Sequence, residues 1–284
     1  MFWKNNQAYL IVRVSGAMLL SVADVDAVLG DLRIEGDQLD TLVATLPEDR
    51  WATPTPAEGW TITHQIAHLS WTDAVALRSA VEAPSFQDVV DQALREPDGF
   101  VDKAAEEHAR VGPATLLSEW RTGRAELLAA LEAVPAGRTL EWFGPPMSVA
   151  SMATARIMET WAHGQDIVDA LGITRAPTAR LQHVAHIGVR TRDFAYAVRE
   201  QPPPSEPFHV ELTGPDGQRW AWGPHDAAQR ITGPALDFCL LVTQRRHRDD
   251  LALESVGDDA AHWLSIAQAF AGRPGNGRKA GQFT

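Results

Sequence analysis

The sequence predicts an α+β protein in which an antiparallel four-helix bundle precedes a smaller α+β domain. Three observations support this: four long segments with apolar residues at helical spacing, a change of character after Gly172, and a hairpin-like stretch that follows a proline-rich segment. Apolar residues make up 45% of the 284 residues and charged residues 22%, which is enough for a sizeable core. The predicted parts are an N-terminal extension at 1–17, the bundle at 18–172 and the second domain at 173–284.

Helix start and stop signals bound the four long segments. Thr63 is the predicted N-cap of the second helix, Pro113 suits the first turn of the third, and Gly172 ends the fourth. Two shorter polar helices, separated from each other near "EPDG", are predicted in the sequence between the second and third long helices. The predicted long helices cover residues 22–46, 63–81, 113–134 and 149–171.

The second domain mixes helices and strands. One helix is predicted at about 178–199, followed by the hinge "QPPPSEP". The stretch "FHVELTGPDGQRWAWG" predicts a hairpin with "PDG" as its turn. A helix in "GPALDFCLLVTQRR", a strand at "LALES" and a helix in "DDAAHWLSIAQAFAG" complete the domain.

Composition and charge exclude several classes of partner. The formal net charge is −12 and "QRRHR" is the only short basic cluster, which argues against nucleic acid. An apolar run of about 18 residues without charges is missing, which argues against a membrane span. The single cysteine, Cys239, lies in the apolar run "ALDFCLLV" and predicts a buried side chain in a reducing, cytoplasmic protein. Arg13 interrupts the apolar N-terminus, so we interpret residues 1–17 as an extension rather than a signal peptide.

Two helices carry side chains that could perform chemistry. Glu159, His163 and Asp166 lie along one side of "IMETWAHGQDIVDAL", and His64 and His68 are one turn apart in the second helix. The residues alone are compatible with an ordinary polar seam, with acid/base catalysis or with a metal site. Two imidazole nitrogens and one carboxylate oxygen suit zinc, and the same set suits non-haem iron.

These two helices also carry a family resemblance. "GWTITHQIAHLSW" followed by "METWAHGQDIVDALG" resembles the DinB-like superfamily, and more closely the mycothiol-dependent maleylpyruvate isomerase family. An actinobacterial subfamily described as metal-binding and isomerase-like is the most similar. The resemblance implies a DinB-like bundle with the metal ligands His68, Glu159 and His163. It places His64 and Asp166 just outside the ligand set, where Asp166 would accept the free ring N–H of a ligand histidine. A solvated surface position is the alternative for Asp166.

The resemblance implies a thiol-dependent reaction. A divalent metal, with zinc as the best fit, would hold a low-molecular-weight thiol such as mycothiol as its thiolate. The thiolate would add to a double bond of a small anionic substrate, the resulting single bond would rotate, and elimination would restore the double bond in its other geometry. A transfer reaction, in which the thiolate displaces a leaving group, is the variant.

"TGPALDFCLLVTQRR" resembles a family element in which a glycine and an arginine follow an apolar helix. Gln244 replaces that glycine, and Arg245 matches the arginine. Arg245 or Arg246 could therefore bind the anionic substrate, and solvated charges at a helix end are the alternative. Trp142, which precedes the ligand helix, could line a pocket or belong to the core.

Two other functions remain open at the level of sequence. One is a small-ligand binding protein in which the metal is structural or absent, and the other is a metal-dependent hydrolase that needs no thiol. The sequence does not distinguish a monomer from a homodimer.

Overall fold

The computed structural model describes residues 22–96, 99–272, 275 and 277–283, so the extension that we predict at 1–17 lies outside the described residues. The chain divides into two compact units between Thr174 and Arg175, where the sequence analysis placed a boundary near Gly172. Among the described residues, no helix is both long and apolar enough to cross a membrane.

The first unit is a four-helix bundle with two shorter helices beside it. Within the described residues, its α-helices are α1 (Val22–Ala44), α2 (Ile62–Ala80), α3 (Ser85–Arg95), α4 (Phe100–Ala109), α5 (Pro113–Ala133) and α6 (Val149–Leu171). The four long helices pack in pairs, with α2 against α5 and α6, and α1 against α5 and α6. The two shorter helices, α3 and α4, pack beside α2.

The two helices that carry the predicted ligands have well-defined ends. α6 begins after Ser148, whose hydroxyl accepts a hydrogen bond from the Ser151 backbone N–H at 3.1 Å. It ends at Gly172, as predicted, because this residue adopts a left-handed φ of 66° that glycine tolerates best. The predicted N-cap of α2 was wrong. Thr61 caps the helix, whereas the Thr63 hydroxyl donates to the carbonyl oxygen of Trp51 at 2.9 Å.

A charged cluster joins α1 to α5. Arg121 donates to both carboxylate oxygens of Asp40 at 2.6–3.0 Å, and Arg124 donates to Asp40 Oδ2 at 2.9 Å. The Asp40 side chain is only 14% exposed. The hydrogen bond from Arg121 is the largest cause that lowers the pKa of Asp40.

We expect Asp40→Asn to lower the free energy of unfolding by about 1–2 kcal/mol at pH 7, because it removes a charge-assisted bidentate contact. The native pKa of Asp40 is depressed, so the stabilisation is present above the unfolded-state pKa of about 3.9 and is lost as pH falls through the lower native pKa. Urea unfolding followed by tryptophan fluorescence at pH 7 and near pH 3 tests this. An equal difference between the two proteins at both pH values would contradict it.

The second unit is a small α+β fold with a four-stranded sheet. Its α-helices and strands, within the described residues, are α7 (Leu181–Arg190), α8 (Arg192–Ala197), β1 (Phe208–Thr213), β2 (Arg219–Trp222), β3 (Gln229–Pro234), α9 (Ala235–Val242), β4 (Glu254–Val256) and α10 (Asp258–Ile266). The strand order is β2-β1-β3-β4, in which β1 pairs antiparallel with β2 and parallel with β3, and β3 pairs antiparallel with β4. The β1–β2 pair confirms the predicted hairpin.

Several predicted elements of this unit need correction. The helix predicted at 178–199 is two helices, because the chain leaves helical geometry at Thr191 (φ −93°, ψ 12°). Strand β3 was missed, since its segment "QRITGP" has one buried apolar residue, Ile231, and therefore no alternating pattern. The last helix ends at Ile266, because Ala267 adopts extended backbone angles.

The backbone after α9 suits the glycine of the resembling element. Gln244 has a φ of 59°, in the left-handed region where glycine is favoured, so glutamine here occupies a conformation that glycine adopts more easily. Within α9, Cys239 is fully buried, and burial raises the pKa of its thiol well above the usual range. Cys239 is therefore a core residue of low reactivity, as the sequence predicts.

Candidate metal centre

The candidate site is formed by His68 of α2 and by Glu159 and His163 of α6. Glu159 Oε2 lies 3.1 Å from His68 Nε2 and 3.4 Å from His163 Nε2. One possible ligand atom from each residue lies within 4.8 Å of the other two. Helix geometry alone places Glu159 and His163 on one face, because positions four apart are neighbours. The packing of α2 against α6 brings His68 to them.

The three side chains fit a divalent metal ion. In a tetrahedral zinc site with bonds of about 2.0–2.1 Å, adjacent ligand atoms are about 3.3 Å apart, which is close to both distances from Glu159 Oε2. The side chains of His68 and His163 are 9% and 13% exposed, so the surroundings are largely shielded from water. Three protein ligands also leave one coordination position open, which is typical of catalytic rather than structural sites.

Glu159 provides the negative charge of the site. Burial by itself raises the pKa of this carboxyl, but the contacts with the rings of His163 and His68 outweigh burial and hold the pKa well below its usual range. Glu159 is therefore ionised near neutral pH. An ionised carboxylate is the form that binds a metal ion.

Two tryptophans line the site. The Trp60 ring stacks on His163, with centroids 5.9 Å apart and planes at 19°, and it lies 5.3 Å from the His68 ring. Trp71 lies 6.1 Å from His68. Trp60 Nε1 donates to Asp102 Oδ1 at 2.9 Å, which fixes the indole orientation. The imidazoles are therefore bordered by apolar ring faces rather than by open solvent.

His64 has partners away from the three candidate ligands. Its Nδ1 accepts a hydrogen bond from the backbone N–H of Thr61 at 3.2 Å, so the ring helps to cap α2. Its Nε2 lies 2.9 Å from Glu106 Oε2, and this hydrogen bond is the largest cause that lowers the pKa of Glu106. The predicted place of His64 just outside the ligand set remains a prediction.

Asp166 is fully buried, so the alternative of a solvated surface charge is wrong for this residue. Its support of a ligand histidine remains a prediction. Trp142 is partly buried and packs in an aromatic cluster, with ring centroids 6.1 Å from Phe86 and 5.2 Å from Phe143. These contacts put at least part of Trp142 in the core, and its role in a pocket is untested.

The two arginines that we predict to bind substrate belong to the second unit. Arg245 Nη1 donates to the carbonyl oxygen of Thr243 at 2.6 Å, and Arg246 Nη1 donates to that of Arg245 at 2.7 Å. The Arg246 guanidinium also lies 4.4 Å from the Phe283 ring centroid. Both side chains are partly buried, so they differ from freely solvated charges at a helix end.

Sequence reasoning missed two sets of polar residues near the ligands. Gln65 is fully buried and contacts His163. It precedes His68 by three residues, and this spacing could have indicated that both side chains lie on the same face of α2. Arg156 and Asp73 form a buried ion pair at 2.9 Å between α6 and α2. No local pattern indicates this pair, because its partners come from distant segments.

Comparisons with known proteins agree with this geometry. Residues 32–168, which include all three candidate ligands, match the family model described as the mycothiol maleylpyruvate isomerase N-terminal domain. Residues 204–255 match a model described as wyosine base formation. Two uncharacterised proteins, from two strains of Mycobacterium tuberculosis, are each 60% identical over 257 residues, which is 90% of this chain and 100% of the relative.

Solved structures show the same architecture. A crystal structure of a mycothiol-dependent maleylpyruvate isomerase aligns with a TM-score of 0.55 at 16% identity, over 81% of this chain and 92% of that chain. A histidine-to-alanine mutant of a mycothiol-dependent maleylpyruvate isomerase aligns with a TM-score of 0.54 at 15% identity, over the same shares of the two chains. At this identity the likeness concerns the fold. The match of residues 32–168 to the family model shows that this part of the chain belongs to the mycothiol maleylpyruvate isomerase family.

Proposed function

We propose that the protein is a metal-dependent cytoplasmic enzyme that uses a low-molecular-weight thiol, such as mycothiol, to isomerise or transfer a group on a small anionic substrate. The observation that carries the proposal is the convergence of His68, Glu159 and His163 in a chain of this family. These residues bring two imidazole nitrogens to within 3.1 and 3.4 Å of one carboxylate oxygen. Zinc is the metal that we propose, and iron is compatible with the same ligands.

When bound, the metal would lower the pKa of a thiol and keep it deprotonated at neutral pH. The chain's own residues prepare the place for this chemistry. Glu159 is held ionised, so it offers a charged oxygen between the two imidazoles. The ring of Trp60 covers His163 and shields this side of the site from water.

Substrate binding is the proposed task of the second unit. Arg245 and Arg246 are the candidates, since a guanidinium binds carboxylates with two parallel hydrogen bonds. Arg245 corresponds to the arginine of the resembling element, which favours it over Arg246. Gln244, the residue before Arg245, has a left-handed backbone conformation, which sets the direction of the chain at Arg245.

We expect the zinc-loaded protein to isomerise maleylpyruvate only when a thiol is added, because the proposed reaction needs a thiolate nucleophile and the buried Cys239 does not provide one. Turnover is followed spectroscopically with mycothiol, glutathione, cysteine or no thiol, and chelator-treated protein is the control. Equal turnover of an ester or amide substrate without thiol would favour a hydrolase. Tight binding of small ligands without turnover of any would favour a binding protein.

A further inference from the structure

A directed chain of hydrogen bonds leads away from His163. His163 Nδ1 lies 2.5 Å from Gln65 Oε1, Gln65 Nε2 donates to the hydroxyl of Thr55 at 2.8 Å, and that hydroxyl donates to the carbonyl oxygen of Trp60 at 2.9 Å. Gln65 is fully buried. The Gln65 amide therefore links His163 to Thr55 through its oxygen and its nitrogen, away from solvent.

The donor and the acceptor of each hydrogen bond in this chain can be assigned by starting from the Trp60 carbonyl group. The carbonyl oxygen of Trp60 can only accept, so the single hydroxyl proton of Thr55 points to it. The Thr55 oxygen must then accept from the Gln65 amide nitrogen, which leaves the Gln65 oxygen facing the imidazole. Because an amide oxygen can only accept, His163 Nδ1 must carry the hydrogen.

We propose that Gln65 and Thr55 are positioning residues that hold His163 as its Nδ1–H tautomer and thereby present the Nε2 lone pair to a metal ion. With Nδ1–H donating to Gln65, Nε2 carries a hydrogen only in the protonated ring, which then donates to Glu159 Oε2, 3.4 Å away. The neutral ring turns a lone pair towards that oxygen instead. Two atoms with lone pairs then face each other, and a cation between them satisfies both. The metal part of this inference rests on the proposed function, and the tautomer part does not.

The loop before α2 holds the far end of this chain in place. The backbone N–H of Thr55 donates to the carbonyl oxygen of Trp60 at 2.8 Å, and Pro54 pairs with Thr61 in an isolated β-bridge. The same loop supplies the Trp60 ring that stacks on His163. One short segment therefore fixes both the hydrogen bonding and the face of this imidazole.

The two histidines of the site differ in this respect. Among the described residues, His68 Nδ1 is buried and has no hydrogen-bond partner, while His68 Nε2 lies 3.1 Å from Glu159 Oε2. His68 can thus donate Nε2–H to Glu159 in the metal-free protein, whereas His163 donates to Gln65. Each ring then donates to its own acceptor. Already in the metal-free protein, His163 has the tautomer that binds a metal ion through Nε2.

Metal affinity tests the inference. Gln65→Met keeps the size of the side chain but removes the acceptor, and we expect zinc affinity to fall by about 10- to 100-fold in competition with a chromophoric chelator. Gln65→Glu keeps an acceptor for Nδ1–H, provided that the Thr55 hydroxyl turns from the Trp60 carbonyl to the new carboxylate. We expect it to retain more zinc affinity than Gln65→Met, because a carboxylate is a common partner of a ligand histidine. Gln165→Met is the matched control on α6, since Gln165 donates its amide to Asp169 at 2.8 Å. Equal losses in Gln65→Met and Gln165→Met would overturn the positioning role.

Nitrogen-15 NMR of the metal-free protein provides a readout that is independent of metal and of activity. At a pH where the ring is neutral, we expect Nδ1–H for His163 in wild type and a shift towards Nε2–H in Gln65→Met. If Gln65→Met does not fold, Thr55→Val removes the hydroxyl that orients the amide and should cause the same shift. An Nε2–H ring in wild type overturns the inference. A wild type that shows Nδ1–H but binds no metal upholds the tautomer assignment and defeats the proposed function instead.

Discussion

The His68→Ala variant is expected to lose its metal, with affinity at least about 100-fold below that of wild type. The physical reason is that His68 is one of only three protein ligands that we propose, and the loss of a partner outside the ligand set already costs 10- to 100-fold at such sites. Wild-type protein dialysed against buffer with trace zinc should retain about one ion per chain, and His68→Ala about a tenth of that or less. Elemental analysis of the dialysed proteins measures both values.

His64→Ala is the matched control for this experiment. His64 lies on the same helix, one turn before His68, and its ring nitrogens contact Thr61 and Glu106 instead of the ligand atoms. This variant should keep its metal and lose only about 0.5–2 kcal/mol of stability through the weakened helix cap. A wild type without stoichiometric metal, or a His68→Ala protein that binds metal as well as His64→Ala, would contradict the metal centre.

The second large effect is expected on stability, from Arg156→Met. Arg156 Nε donates to Asp73 Oδ1 at 2.9 Å, and the two side chains are 3% and 6% exposed. Removing the arginine leaves a buried carboxylate with only the Trp120 indole N–H, at 3.3 Å, as its described hydrogen-bond donor. We expect the free energy of unfolding to fall by about 3–5 kcal/mol, measured by urea unfolding with tryptophan fluorescence.

Two further proteins make this experiment decisive. Arg156→Met combined with Asp73→Leu removes both charges and should recover most of the lost stability, because no uncompensated charge stays buried. Arg33→Ala breaks the exposed pair of Arg33 with Glu132, whose side chains are about half exposed, and should cost less than about 1 kcal/mol. Similar losses in Arg156→Met and Arg33→Ala would show that the buried pair has no special weight.

The buried pair also joins the two helices that carry the candidate ligands. Asp73 follows His68 on α2, and Arg156 precedes Glu159 on α6. Arg156 Nη2 additionally donates to the hydroxyl of Thr72 at 2.6 Å, and that hydroxyl donates to the backbone carbonyl of His68 at 2.9 Å. The contacts between α2 and α6 are therefore polar and directional beside the site, which restricts sliding of one helix along the other.

Much of the first unit could be predicted because its signals are local. Apolar spacing identifies the long helices, and Gly172 marks the end of α6 because a left-handed residue is needed there. The second unit was predicted less well. β3 lies inside the sheet order and pairs in parallel with β1, but its own six residues, with a glycine and a proline among them, do not look like a strand. Pairing with neighbouring strands, rather than propensity, makes it one.

Glu159 and His163 could be placed on one helix face from the sequence, since this depends only on the repeat of the helix. The resemblance then named His68 as their partner. The surroundings of these three residues became known only from the packed chain: Asp166 is buried, His64 caps α2, and Gln65 contacts Nδ1 of His163. These outcomes depend on which side chains meet when α2, α6 and the preceding loop pack together. Helical periodicity carries no information about contacts between segments so far apart in the chain.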